Sequence, residues 1–343
     1  GMEVVDLGDD PTRPCWYSRD ALDLDGVVVV NRVKPHTDIS GPVESGLRKM
    51  MAIGLGKHAG ALQAHFRGLA CTGEEVERIS RVLLERANVI AGVAILENAA
   101  DRTREVVVMD RAEIIDTERR LLAESREHLP RLLIQDIDVL VVDRMGKEMS
   151  GDGIDPNVVG RSLVGVKNPR MAVNRIAVLD LTEASHGNAN GIGLADVTTT
   201  RLVGKIDFTA MYTNALTAHA TNGSRLPLQM PSHKMAIQCA QHMCMVPDPA
   251  HHRIVRIPDT LHLEQIQVSE ALHDEARAHP SMEVIDGPHL QRARRSVLST
   301  PRTPGPTRRR PSRPCRNRWL HWNNHSGAPR GPGPTRRKDR GTW

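Results

Sequence analysis

Three side chains between residues 31 and 68 have the types that proton or hydride transfer requires: His36, Lys49 and His65. They stand in NRVKPHTDISGPVESGLRKMMAIGLGKHAGALQAHFRG, among glycine-rich turns. One imidazole can work as acid or base near neutral pH, a primary amine can carry a covalent adduct, and a second imidazole can ligate a metal. Lys49 closes the run Ser45-Gly46-Leu47-Arg48-Lys49, and His65 follows it by sixteen residues.

The elements around these residues set where they can act. GVVVVN at 26–31 is uniformly apolar, the pattern of a strand buried on both faces. Pro35 forces an extended exit from it. The reactive residues therefore begin at the carboxyl end of a strand, where ligands sit in open α/β sheets. Residues 3–7 read as a short strand. Apolar spacing at Val76, Ile79, Leu83 and Leu84 predicts a helix over 74–87. Strands are expected at 89–97 and 104–109, and a charged helix at 113–127. A second unit starts near residue 131, with strands at 139–142, 176–181 and 253–257 and helices at 198–205 and 235–245. Its loops at 145–160 and 182–196 are rich in glycine and polar residues. This alternation predicts an α/β protein of two layered α/β domains, 1–130 and 131–290, with a cleft between them.

Residues 291–343 differ in kind. They hold fourteen Arg and one Lys against one Asp, eight of the 22 prolines and three of the four tryptophans. A segment of this composition cannot bury a core and is expected to be disordered. It reads as the product of a reading-frame error or read-through, or alternatively as an arm for an anionic surface. Because the tail carries so much positive charge, the net charge of +5 hides an acidic main body. A nucleic-acid partner is therefore not expected beyond the tail. No apolar run approaches the ~20 residues of a membrane span, and residues 2–8 read as a strand, not as a signal peptide. Five scattered cysteines fit reduced thiols, and so a cytoplasmic protein, better than a disulfide framework.

The order Pro35-His36, Ser45-Gly46-x-x-Lys49 and His65 resembles that of the nickel-pincer-dependent lactate racemases. The likeness extends across 1–290 through DRMGKEMSGDGIDPNVVGR (143–161) and LTEASHGNANGIGLAD (181–196), which look like a racemase-like subgroup of unassigned substrate. The resemblance implies an isomerase that racemises or epimerises a small 2-hydroxy acid by hydride transfer to a nickel-pincer nucleotide. Lys49 would hold that pyridinium-derived cofactor through a thioamide, and His65 would ligate its nickel. His36 would be one of two acid/base groups on the substrate hydroxyl. Gly41, Gly46, Gly54 and Gly56 would let backbone approach a cofactor phosphate. Pincer-synthesis proteins would be partners. The family places a second acid/base histidine and a Thr-Arg motif upstream of the first strand, so the chain is expected to be an incomplete fragment. The alternative is a non-catalytic cofactor- or metal-binding module of the same fold.

Other constellations compete. Gly54-x-Gly56-x-x-x-Gly60 superficially matches a dinucleotide fingerprint, but the preceding SGLRKMMAI reads as a helix, not a strand. Cys239, His242 and Cys244, with His251 and His252, suggest zinc; their spacing is not that of a standard knuckle, and sulfur-rich helix packing is the competing reading. The loop at 151–157 has calcium-like oxygens without an EF-hand pattern, and Asp155 and Asn157 fit a helix cap. Lys147 could face an anionic substrate or simply be solvated. Glu183-x-x-His186 offers a metal pair or an acid/base dyad, making His186 a further catalytic candidate; Gly187, Gly191 and Gly193 around it fit turn chemistry equally well.

Overall fold

Valine-rich strands build two larger sheets, of three and six strands, each packed on core residues, beside two small two-stranded pairs. The computed structural model describes residues 3–163, 165–166, 168–283 and 285; the Arg- and Pro-rich tail lies outside the described residues.

The first lobe opens with an antiparallel pair, β1 (Val4–Asp6) and β2 (Trp16–Ser18), followed by α1 (Arg19–Leu22). Then come β3 (Val27–Arg32), α2 (Gly46–Lys49), a π-helical turn (Met50–Leu55), α3 (Lys57–His65) and α4 (Leu69–Arg86). β4 (Val89–Glu97), β5 (Thr103–Asp110) and α5 (Ile114–Glu127) complete it. The sheet order is β3-β4-β5, with β4 parallel to β3 and antiparallel to β5. Val76, Ile79, Leu83 and Leu84 do face the core from α4, beside Val29, Leu47, Ala94, Leu96 and Leu121. Asp110 and Glu113 form a reciprocal capping box that starts the turn leading into α5.

The expectation that 26–31 is buried on both faces is wrong. Val28 and Val30 are 49% and 53% exposed, and Val106 and Val108 stand out on the same side. The registers Val30↔Val93↔Val108 and Arg32↔Ile95↔Val106 make this a continuous outward face. The helices cover the other side, so an apolar run did not mean two covered faces.

In the second lobe the chain runs β6 (Asp136–Val142), α6 (Pro156–Val159), the small pair β7 (Arg161–Ser162) and β8 (Gly165–Val166), and β9 (Ala172–Val178). It continues through β10 (Val197–Thr199), α7 (Thr200–Val203), α8 (Phe208–Thr217), β11 (Leu228–Met230) and α9 (His233–Met243). β12 (Ile254–Ile257), β13 (Gln267–Val268) and α10 (His273–Ala278) close it. The sheet order is β11-β10-β9-β6-β12-β13, parallel except for β13 at one edge. Both faces are covered: Leu140, Val142, Ile176 and Val255 join one core, while Val139, Val141 and Ala177 pack with Ala236 and Ala240 of α9. That is the arrangement parallel sheets require. The helix expected at 198–205 is shorter than its pattern. Thr198 and Thr199 are strand residues whose hydroxyls donate to the carbonyls of Val178 and Leu179, and Thr199 then caps α7. β-Branched residues favour this extended start.

No helix among the described residues is long and apolar enough to cross a membrane.

Candidate functional site

Lys49 is placed by the residues just before it. Ser45 Oγ accepts from Lys34 N at 2.8 Å and donates to Lys34 O, tying the end of β3 to the start of α2. Gly46 has φ +85°, and a Cβ there would lie 2.6 Å from Glu118 Oε2, so only glycine fits. The amides of Leu47 and Arg48 donate to the Glu118 carboxylate, which occupies the α2 N-terminus. Arg48 is fully buried; its guanidinium donates to Glu118, Glu77 and the Pro42 carbonyl. Burial pushes the Glu118 carboxyl up despite Arg48 beside it. This network anchors α2 to α4 and α5 and leaves the next residue, Lys49, half-buried at the edge of the core. Desolvation lowers the Lys49 amine to about 8, with Asp38 opposing the shift.

The π-helical turn and α3 bring His65 back to Lys49. His65 Nδ1 is 2.7 Å from the Ala61 carbonyl, which fixes the tautomer with the proton on Nδ1 and the lone pair on Nε2. Burial lowers its pKa; the Ala61 carbonyl works the other way, and Lys49 and His219 add to the lowering. The imidazole is thus held neutral, as metal ligation requires.

The second lobe contributes two further groups from the loop after β6. Lys147 donates to the Gly151 carbonyl, and burial lowers its amine against the pull of Asp152 and Asp38. Asp152 is only 3% exposed. Burial, and then Asp38, push its carboxyl up to about 8. The lobes meet here: Asn157 Nδ2 lies 3.5 Å from the His36 carbonyl, and Gly151 faces Thr37 Oγ1. Gly191, at φ +106°, packs so closely on the Asp152 backbone that a Cβ would lie 1.7 Å from its carbonyl oxygen. Asp38 is the shared neighbour, acting electrostatically on Lys49, His65, Lys147 and Asp152. α3 also touches α8. Beyond α8, His219 acts on His65; it lies in the chain between Leu216 and Thr221, which line a pocket of about 330 Å³ with Tyr212, Ala215 and Ser224.

The sequence-derived candidates therefore divide. Lys49 and His65 are brought together. His36 is nearby, but its Nδ1 accepts from the amides of Asp38 and Ile39, both at 3.1 Å. An imidazolium would turn an N–H against those two donors, so the geometry favours the tautomer with the proton on Nε2. His36 thus accepts at Nδ1 and carries its proton on Nε2. Gly54 and Gly56 have a local packing reason. A Cβ at Gly54 would meet Met50 Sδ at 2.2 Å, and one at Gly56 would meet the Ala52 carbonyl at 2.3 Å. Gly46 serves Glu118, as above.

His186 is exposed and left-handed (φ +47°), capping the short turn Glu183–Ser185, while Glu183 pairs with Lys205. This fits the turn-chemistry reading of the segment. Among the described residues no three His, Cys, Asp or Glu side chains converge to hold a metal. Cys244 donates to the Asp138 and Ala240 carbonyls, and His252 bonds Gln241 and the Val246 carbonyl. The Cys239–Cys244 segment is thus helix packing. Asp155 caps α6 through the Asn157 amide at 2.8 Å, as expected.

Sequence reasoning did not single out Asp38, and it noted Asp152 only within the oxygen-rich loop at 151–157. Asp38 lies two residues after His36, and Asp152 is flanked by Gly151 and Gly153 in a loop leaving a parallel strand. That position in the fold was the available signal. The chain matches no known family model, and no curated protein matches it.

Proposed function

We propose that this protein is a racemase or epimerase of a small 2-hydroxy acid that works with a nickel-pincer nucleotide. The observation carrying this reading is the pairing of a desolvated lysine with a neutral imidazole whose Nε2 lone pair is set by Nδ1. Lys49 is an amine suited to a covalent thioamide link, because lowering its pKa increases the unprotonated form. His65 offers the one nitrogen donor that the resemblance asks of the protein, and nickel would draw its other donors from the pincer. These residue types fit the group. When bound, the cofactor supplies the hydride acceptor for the substrate's C2 hydrogen.

The protein's own residues would do the rest. Lys147, close to Asp152 and Asp38, would be the cation for the substrate carboxylate. His36 would donate through Nε2 to a substrate oxygen. The arrangement places these groups where the two lobes meet, so binding would draw on both.

The test is intact-mass and nickel measurement on the full chain co-expressed with pincer-synthesis enzymes. A covalent adduct at Lys49 with one nickel, lost in His65→Ala, and racemisation of lactate as the probe are expected. An unmodified Lys49 without nickel would overturn the reading. Adduct and nickel without turnover of any 2-hydroxy acid would leave a binding module.

A further inference from the structure

We propose that Arg144, Asp259 and His262 form a second ligand site, which holds a small molecule by an oxyanion, carboxylate or phosphate, beside an imidazole able to take and give a proton. The site follows from how the second sheet is wound. From β6 the chain steps outward through β9, β10 and β11, then returns to place β12 on the other side of β6. The junction of β6 and β12 is thus the sheet's switch point. In open parallel sheets, ligands bind outside the carboxyl ends of the strands at such a point. The two strands end in register, Val142 beside Ile257, and the chains run on side by side. The Asp143 amide donates to the Ile257 carbonyl and the Arg144 amide to the Pro258 carbonyl, both at 3.0 Å. Arg144 and Asp259 each stand two residues beyond the end of their strand.

Asp259 is fully buried and organises the other two. Its Oδ1 accepts from the amides of Leu261 and His262 at 2.9 and 2.8 Å. Arg144 donates to Oδ2 through Nε and Nη2, at 3.1 and 3.0 Å. His262 Nδ1 lies 2.8 Å from Oδ1 and 3.0 Å from Oδ2. Burial opposes the charge on Asp259, but these donors outweigh it and hold the carboxyl below its ordinary value. A carboxylate cannot donate, so the neutral imidazole carries its proton on Nδ1 and keeps its lone pair on Nε2. That is how a buried carboxylate orients the base of an acid/base dyad. Above this buried anchor, the Arg144 and His262 side chains are 51% and 54% exposed. Asp259 takes Nε and one N–H of Nη2, which leaves Nη1 for a ligand.

The charges set what binds. Asp259 cancels Arg144, and beside them Asp143 cancels Arg256 at 2.7 Å. With a neutral imidazole the cluster has no net charge; with a proton on Nε2 it is positive. An oxyanion accepting from Nη1 and from Nε2–H selects the protonated ring. Anion and proton are therefore taken up together, each strengthening the other. A metal cation is the wrong ligand for Nε2, because the neighbouring guanidinium repels it. The site shares no side chain with Lys49 and His65, so its failure would leave the proposed racemisation untouched.

Side-chain ¹⁵N NMR of the full chain tests the dyad first and the site second. Neutral His262 should show a protonated Nδ1 and a bare Nε2; the opposite tautomer would overturn the proposal. Inorganic phosphate and lactate are then titrated separately. A saturable shift of the His262 ring with at least one of them is expected, together with a rise in the ring's titration midpoint, and the anion that saturates identifies the oxyanion. Arg144→Gln should weaken that binding ~10–100-fold, the usual worth of a hydrogen bond to a charged group. His262→Gln keeps an amide donor for Asp259, so it serves even if Arg144→Gln does not fold. In it, binding read at Arg144 Nε should persist more weakly and no longer take up a proton. Shifts that rise linearly with both anions, unchanged affinity in Arg144→Gln, or unchanged proton uptake in His262→Gln would each refute the site.

Discussion

The amine of Lys49 should react as one of pKa about 8, and this can be measured without knowing any substrate. An ordinary lysine at 10.5 is neutral in only ~0.03% of molecules at pH 7, whereas one near 8 is neutral in ~10%, a ratio of about 300. The cause is desolvation beside the Arg48–Glu118 network, only partly offset by the Asp38 carboxylate. Trace acetylation with acetic anhydride from pH 6 to 11, read peptide by peptide, gives the midpoint for each lysine. Lys49 should have its midpoint near 8. Asp38→Asn should move it lower still, because the carboxylate it removes favours the ammonium. A midpoint above 10 would refute burial as the controlling influence. An upward move in Asp38→Asn would refute the assigned sign of Asp38.

Other consequences can be checked on the fold itself. Arg48→Met strips the counter-charge from buried Glu118 and should destabilise the protein by ~3–5 kcal/mol in urea unfolding; a loss below ~1 kcal/mol would mean that the two backbone amides suffice. Gly191→Ala places a Cβ against the Asp152 carbonyl at a positive φ, so a loss of at least ~1–3 kcal/mol is expected, and wild-type stability would contradict that packing. Folded Asp152 keeps its proton up to about pH 8, whereas its model value is 3.8. The folded state therefore binds more protons between those values, and the contribution of Asp152 to stability falls as pH rises from about 4 to 8. The stability difference between wild type and Asp152→Asn should accordingly shift against wild type across that window, and a flat difference would count against the raised carboxyl.

The chain disclosed the order of its elements, because that depends on local spacing; Lys49 and His65 were singled out by the family resemblance, and the fold brings them near each other. The helix over 74–87 was readable from four apolar positions, and the observed α4 adds one turn before it. Burial was less legible. GVVVVN looks the same whether helices cover one face or two, and only the packing of α2, α4 and α5 decides. The glycines show the same limit: the resemblance suggested a phosphate, and the fold adds a packing reason that the sequence did not reveal, Gly46 against Glu118, Gly54 against Met50 and Gly56 against Ala52. Asp38 and Asp152 were least legible of all. Each is an ordinary loop aspartate until the lobes meet, and no pattern in one segment encodes a partner supplied by another.

The uncovered side of the β3-β4-β5 sheet bears on how the protein behaves as a material. Val28, Val30, Val106 and Val108 form an exposed β-branched surface, and β3 and β5 are the edge strands of that sheet among the described residues. Such a surface favours self-association, as an apolar area that water does not tolerate and as a template for further strands. The protein should therefore have a concentration threshold above which scattering rises while its secondary structure stays unchanged. A lysine at Val108, which is 72% exposed, should raise that threshold with little effect on unfolding.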